Sequence, residues 1–264
     1  MIIDGRALAR EVLARAKARA EKLSHPPRVV AYIAQDPTPA TRSYLNIKKR
    51  SAEAAGCFFE ETNSQAFFKD ADVAIVQLPV SAEAMNLLEL IDISKDADVL
   101  SRSAREKFER GDTDALLPPV VAAVRAILAF GQVAIAGKKA VVIGDGFLVG
   151  APVAVWLRQQ NAEVTVVNRA TENFSEALLQ ADIIVSGAGA PHLIKPDMIQ
   201  EGAVLIDAGT SESNGEVAGD ADPACADKCA LFTPVPGGVG PLAVACLFEN
   251  AVTLAERAAI DITR

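Results

Sequence analysis

The apolar positions of the chain switch repeatedly between two periods. Over residues 4–23, Leu8, Val12, Ala16 and Leu23 fall near one face with Arg and Lys opposite, which predicts an amphipathic helix. Residues 29–34 (VVAYIA) form a short continuous apolar run, the pattern of a buried strand. Helical spacing returns over 41–55 and is closed by Gly56, and a second strand is predicted at 74–78. The alternation restarts after Pro118-Pro119. A helix over 120–130 ends at Gly131, and strands are predicted in KKAVVIG and at 164–167, 183–185 and 204–206. Helices at 147–160 and 175–180 lie between them. Asn214-Gly215 is a two-residue hairpin signal. A last amphipathic segment runs from Pro241, a good first helical residue, to about residue 260.

Strands alternating with helices predict βαβ units and parallel sheets, an α/β fold. The two runs of alternation read as two lobes joined by residues 101–119, which are polar and then Pro-rich. A cleft between lobes is a usual place for a small-molecule site. No internal repeat or low-complexity tract interrupts the pattern.

Composition narrows this picture. A chain of 264 residues, half of them hydrophobic, can bury one large core or two modest ones. Aromatics are only 5%, so the core must be built from Ala, Val, Leu and Ile, as in helices packed on parallel strands. The net charge of −8 argues against a nucleic-acid partner, while a small anion needs only a local positive pocket. Cys57, Cys225, Cys229 and Cys246 are few for the length and predict reduced thiols in a cytoplasmic protein. Cys225 and Cys229 share a helical spacing, but no second pair or nearby His completes a metal site, so none is expected. Charges arrive too early for a signal peptide. No apolar run reads as long enough for a bilayer, so no membrane partner is expected.

The segment from Ala140 to Gly150 reads as strand, glycine turn, helix, with Gly144, Asp145, Gly146 and Gly150 at the turn. Glycines there let backbone N–H groups approach a pyrophosphate at a helix N-terminus. The spacing is GxGxxxG rather than GxGxxG, and a purely structural turn is the competing reading. After the next strand come Asn168, Arg169, Ala170 and Thr171, where an NAD enzyme would carry an acid. An Arg can instead pair with a 2′-phosphate, which predicts NADP; a solvated surface Arg is the alternative. Asp145 would repel a phosphate close to it.

The two histidines, His25 and His192, each adjoin a proline in loop-like sequence, so Lys and Asp are the better candidates for chemistry. Tyr44 and Lys48 stand four apart on one helical face. A Lys carries protons near neutral pH only where burial or neighbours lower its pKa.

Several segments, in order, resemble the bifunctional methylenetetrahydrofolate dehydrogenase/cyclohydrolase family. TRSYLNIKKR is similar to its substrate helix, IVQLPV to its strand-end motif VQLPLP, and SKDADV to KDVDG. GKKAVVIGDGFLVGAP resembles its cofactor loop, usually written GKxxxVIGRSxxVGxP. EGAVLIDAG and VAGDAD resemble segments flanking the hairpin, and TPVPGGVGPLAVACLFEN is close to PGGVGPMTxAxLxxN. The resemblance implies a substrate domain over 1–119, a Rossmann-like domain over 120–240, and a C-terminal helix over 241–264 that packs back on the first. It implies Lys48, Gln77 and Asp98 as catalytic residues, with Gln77 holding Lys48 and Asp98 accepting from the pterin edge. It places Tyr44 on the p-aminobenzoyl ring and Pro236, Gly237 and Gly238 where substrate meets nicotinamide. Implied too are oxidation of methylenetetrahydrofolate with NADP, hydrolysis to 10-formyltetrahydrofolate, and a homodimer joined through the hairpin.

Departures from the family pattern cluster round these pockets. Val99 stands where the family has Gly, and Pro118-Pro119-Val120-Val121 where it has Pro-Cys-Thr-Pro. Asp145-Gly146 replaces Arg-Ser, Ala243 replaces Thr, and the helix expected between Glu61 and Val73 is much shortened. Two other readings stay open: a two-lobed NADP-dependent dehydrogenase acting on another small substrate, and a dimeric binding protein without activity.

Overall fold

The computed structural model describes residues 1–33, 39–64, 66, 68–69, 71–78, 80, 85–168, 170–213 and 216–262. It is an α/β fold that divides into two compact units, one of residues 9–119 and 244–264, the other of residues 1–8 and 120–243. Each is built on a wholly parallel sheet.

The first unit holds α1 (Gly5–Ala20, mostly within it), β1 (Arg28–Tyr32), α2 (Pro39–Ala54), β2 (Phe58–Thr62), β3 (Val73–Val76) and α3 (Arg102–Glu109). Its strands lie in the order β2-β1-β3. β1 and β3 are buried along nearly their whole length, as strands covered on both faces must be. β2 is an edge strand with polar positions open to water, and its sequence FFEET gives no clean period. Within the segment expected to be a polar linker, α3 forms because Ser101 caps it, its Oγ accepting from Ala104 N at 3.3 Å. That helix buries only Ala104 and Phe108.

The C-terminal helix, α7 (Val239–Ile262), joins this unit from Val244 onward. Phe248 is fully buried and meets Phe59 edge-on, ring centroids 6.2 Å apart. Arg19 of α1 forks onto Glu256 (Nε–Oε1 3.1 Å) and donates to Thr253 at 2.8 Å. α7 starts two residues before Pro241, which costs nothing because the first N–H groups of a helix have no intrahelical acceptor. Contrary to expectation, residues 239–260 are long and apolar enough to cross a membrane by length and composition alone. Half of that stretch is buried inside the protein, which accounts for its apolar character.

The second unit contains α4 (Pro119–Phe130, from Val120), β4 (Lys139–Ile143), α5 (Gly150–Gln159), β5 (Glu163–Val167), α6 (Phe174–Leu179), β6 (Ile183–Ser186), β7 (Val204–Asp207) and β10 (Leu231–Phe232). The strand order is β10-β7-β6-β4-β5, so the chain leaves β4 to one side for β5 and returns to the other for β6. β4 and β6 therefore flank a topological switch point, the usual ligand crevice of open parallel sheets. Residues 1–8, expected in the first domain, group with this unit instead: Ile3 N donates to Phe232 O at 2.9 Å and Phe232 N to Met1 O at 2.9 Å. β8 (Ser211–Ser213) and β9 (Glu216–Ala218) pair antiparallel as a hairpin, whose expected turn, Asn214-Gly215, lies outside the described residues.

Candidate active site

In the first unit α2 buries Leu45 and Ala52 completely and is closed by Gly56, two residues past its end, at φ +74°. That orientation leaves Tyr44 39% exposed and Lys48 partly buried on the same face. Burial pushes the Lys48 ammonium below its ordinary pKa, and the charge of Asp98 opposes the shift. Burial raises the Asp98 carboxyl; Lys48 works against this and Asp96 adds to it. The two groups thus feel each other across one site.

Gln77 directly follows β3, its N–H donating to Tyr32 O at 3.0 Å. Its Nε2 donates to Leu78 O at 2.7 Å. A carbonyl cannot receive anything from Oε1, so this bond fixes which way the amide points. Oε1 is buried and has no partner among the described residues. A buried unpaired acceptor costs about 1–3 kcal/mol, so the position favours a donor from a ligand or a neighbouring side chain. No direct bond joins Gln77 to Lys48 among the described residues.

Asp98 sits in a turn that follows a short 3-10 helix over Ile93–Lys95, capped by Asp92. Next to it, Val99 has φ +58° and is 2% exposed. A β-branched residue in the left-handed region is held there against about 1–3 kcal/mol of strain. The conformation is the one a glycine adopts freely, so the substitution at Val99 has kept the turn and added strain.

In the second unit the glycine turn closes on itself. Gly144 has φ +90°, and a Cβ at Gly150 would fall 1.9 Å from the Gly144 carbonyl oxygen. That contact explains the GxGxxxG spacing: the third glycine lets the start of α5 touch the end of β4. A Cβ on Gly144 would in turn reach Gly187 O, after β6, at 3.0 Å, so the turn lies at the switch point. α5 begins at Gly150, three residues later than expected, since Gly146 O accepts from Val149 N and Ala151 N in a turn first. Val149 precedes it without a side-chain cap; with Ala151 N given to Gly146 O and no N–H on Pro152, the Gly150 N–H is the one left, among the described residues, at the head of the helix to meet a ligand. Asp145 and Gly146 are exposed. Beyond β5, Asn168 Oδ1 accepts from Ala170 N at 2.9 Å and Thr171 Oγ1 from Asn168 N at 2.9 Å, which makes a tight turn. Arg169 lies outside the described residues.

Pro236, Gly237 and Gly238 precede α7, with a cis bond at Val235–Pro236 and φ +111° at Gly237. A Cβ on Gly5 would come 1.8 Å from Gly238 O, so the backbone of α1's first residue lies directly on this turn. Sequence reasoning gave Gly5 no part; the only signal was a glycine at the head of an otherwise good helix.

It also passed over two buried carboxylates. Asp220 accepts from Ser186 Oγ at 2.6 Å, Ala188 N at 2.8 Å and Ala190 N at 2.6 Å, and so shapes the loop after β6 that touches Gly144. Asp207, 1% exposed, accepts from Gly209 N at 2.9 Å and Ala221 N at 2.8 Å. Burial pushes Asp207 up to about 7, with Asp220 adding and the N–H donors opposing. The folded protein therefore holds a proton here more tightly than the unfolded chain. Stability from this group is full below the unfolded value near 4 and is lost as pH rises through about 7. Asp207→Asn should remove that component: denaturant midpoints measured from pH 4.5 to 8 should show wild type losing up to about 1.4 kcal/mol per pH unit relative to the variant. Parallel pH profiles would mean that Asp207 does not titrate in this range.

The comparisons with known proteins agree with this geometry. The family model for the NAD(P)-binding domain of tetrahydrofolate dehydrogenase/cyclohydrolase matches residues 118–259. A bifunctional FolD protein of Lactobacillus gasseri is 33% identical over 97% of this chain and 98% of its own. The Trypanosoma brucei dehydrogenase-cyclohydrolase, solved with NADP cofactor and an inhibitor, is 30% identical with a TM-score of 0.90, covering 98% of both chains. The Campylobacter jejuni FolD structure is 28% identical with a TM-score of 0.88, covering 98% of this chain and 99% of that one. Likeness of this extent in sequence and fold leaves one conclusion: the chain belongs to the bifunctional tetrahydrofolate dehydrogenase/cyclohydrolase family.

Proposed function

We infer that the protein oxidises 5,10-methylenetetrahydrofolate with NADP and hydrolyses the resulting methenyl compound to 10-formyltetrahydrofolate. The observation that carries the reading to this chain's own residues is the electrostatic coupling of Lys48 and Asp98 in the first unit, since oppositely charged, desolvated groups whose pKa values are displaced mark functional sites. Asp98 accepts from the pterin edge, Tyr44 stacks on the p-aminobenzoyl ring through its exposed face, and Gln77 offers Oε1 to a donor in the site. Lys48, with its lowered pKa, moves the proton that hydrolysis requires. Pro236, Gly237 and Gly238 line the nicotinamide side with little side-chain bulk.

NADP fits the second unit because Gly144 and Gly150 touch through backbone alone and the Gly150 N–H at the start of α5 has no side-chain cap. The bound cofactor would supply the hydride acceptor for the methylene carbon. Asn168 and Thr171 build the turn beyond β5 that would hold its adenosine ribose, and Arg169 would pair with the 2′-phosphate. Arg169→Ala should weaken NADP binding by about 1.5–3 kcal/mol, the scale of a charge-assisted hydrogen bond, and leave NAD nearly unchanged in a fluorescence titration. Equal losses for both cofactors would remove Arg169 from the phosphate site. The β8–β9 hairpin joins two copies into a homodimer, which covers its edges.

One assay tests the whole reading. Methylenetetrahydrofolate and NADP should yield NADPH only with protein present, and added methenyltetrahydrofolate should decay faster with protein than without. An absence of NADPH formation would overturn the dehydrogenase reading, and methenyl decay at the buffer rate would remove the hydrolase.

A further inference from the structure

The turn that carries Asp98 is gripped from both sides by buried polar side chains that serve no other visible purpose. On the N-terminal side, Ala97 O accepts from Asn250 Nδ2 at 2.9 Å, and the same nitrogen donates to Leu117 O at 2.9 Å. Asn250 is 9% exposed and lies on α7, 153 positions along the chain from Ala97. On the C-terminal side, Asp96, 1% exposed, accepts from Leu100 N at 3.2 Å and from Ser101 N at 2.7 Å. Between the two grips stands Val99 at φ +58°. Such a backbone persists only where its surroundings over-determine it, and these bonds are the surroundings.

We propose that Asn250 and Asp96 are positioning residues for Asp98, holding a turn that Val99 would otherwise relax and so aiming the Asp98 carboxyl at the folate. The inference rests on the reading of Asp98 as the group that binds the pterin edge. A glycine in place of Val99 would adopt the turn without strain, so this chain depends on the two grips more than a chain with glycine there would. Asp96 also adds negative charge beside Asp98, which strengthens its hold on donors facing it.

The test is steady-state kinetics on the full-length protein with NADP and methylenetetrahydrofolate. Asn250→Leu keeps the volume and deletes both bonds. It should raise KM for the folate about tenfold or more, the scale of a small misplacement in a site, and leave KM for NADP within about twofold. Adding Val99→Gly to Asn250→Leu should recover most of that loss, because the turn no longer needs restraint. If Asn250→Leu does not fold by circular dichroism, Asp96→Asn is measured in the same way, again alone and with Val99→Gly. A purely structural role would lower kcat through a smaller active fraction, leave both KM values alone and show no rescue; that result overturns the proposal. Asp98→Ala separates the two levels. If it leaves folate KM unchanged, the reading of Asp98 fails and the inference with it. If it raises folate KM while the grip variants do not, only the inference fails.

Discussion

Replacing Gly150 with alanine should abolish useful NADP binding and destabilise the second unit. The added Cβ would stand 1.9 Å from Gly144 O, 2.7 Å from Gly144 C and 3.2 Å from Asp145 N. All three are backbone atoms, so no side chain can swing away and the turn itself must move. Overpacking of this kind costs about 1–3 kcal/mol or more. The displacement falls on Gly144 at φ +90° and on the Gly150 N–H at the head of α5, the elements that would cradle the pyrophosphate. A rise in Kd for NADPH of about 100-fold, equivalent to about 2.7 kcal/mol, is expected by fluorescence titration, with a fall of several degrees in Tm. Gly146→Ala is the control for stability. A Cβ there meets nothing within 4 Å, and its φ lies outside the region that favours glycine, so its Tm should match wild type. Unaltered NADPH affinity in Gly150→Ala would mean that the cofactor phosphates lie elsewhere.

How much of this was legible beforehand follows from how local each signal is. Strands buried on both faces, such as β1, β4 and β7, are apolar over most of their length, and short apolar runs announced them. Glycines betray turns because only the backbone can say why they are needed, and Gly56, Gly144 and Gly150 did so. Edges and surfaces were harder. β2 mixes exposed Phe58 with two glutamates, and α3 buries only two side chains, so neither shows a period strong enough to read. The apolar length of α7 passed unnoticed because Glu249, Asn250 and Glu256 interrupt it, yet Phe248, Ala251 and Val252 bury it in the core.

Long-range polar contacts carry no local signal at all. Nothing near Asn250 in sequence says that it holds Ala97 O, and nothing in LIDAG or GDAD says that Asp220 orders the loop after β6. The chemistry of the site was legible only as resemblance. Tyr44 and Lys48 four apart on a helix suit many folds, and the structure adds what the spacing could not: Lys48 is desolvated and Asp98 lies within electrostatic reach. It also withholds something, since Gln77 bonds to Leu78 O rather than to Lys48. The Gln77 amide oxygen is therefore free, among the described residues, to take a donor when substrate enters.

Lys48→Met should abolish the cyclohydrolase and spare part of the dehydrogenase. In the oxidation a hydride leaves the substrate carbon for the nicotinamide, and no side chain carries a proton in that transfer. In the hydrolysis water must lose a proton as it adds, and the breaking C–N bond must gain one. A lysine at its ordinary pKa would hold its proton too firmly to cycle it near neutrality. Burial lowers that of Lys48, with Asp98 limiting the shift, which is the direction a proton carrier needs. Methionine keeps the stem volume and removes the amine, so methenyltetrahydrofolate hydrolysis should fall by about 100-fold to 10,000-fold, the span of a lost general acid–base. NADPH should still form, and methenyl absorbance should accumulate where wild type shows little. Lys48→Arg tests charge apart from proton transfer: a guanidinium stays protonated in any site, so it should keep the positive charge without restoring hydrolysis. Hydrolysis at the wild-type rate in either variant would mean that another group carries the proton.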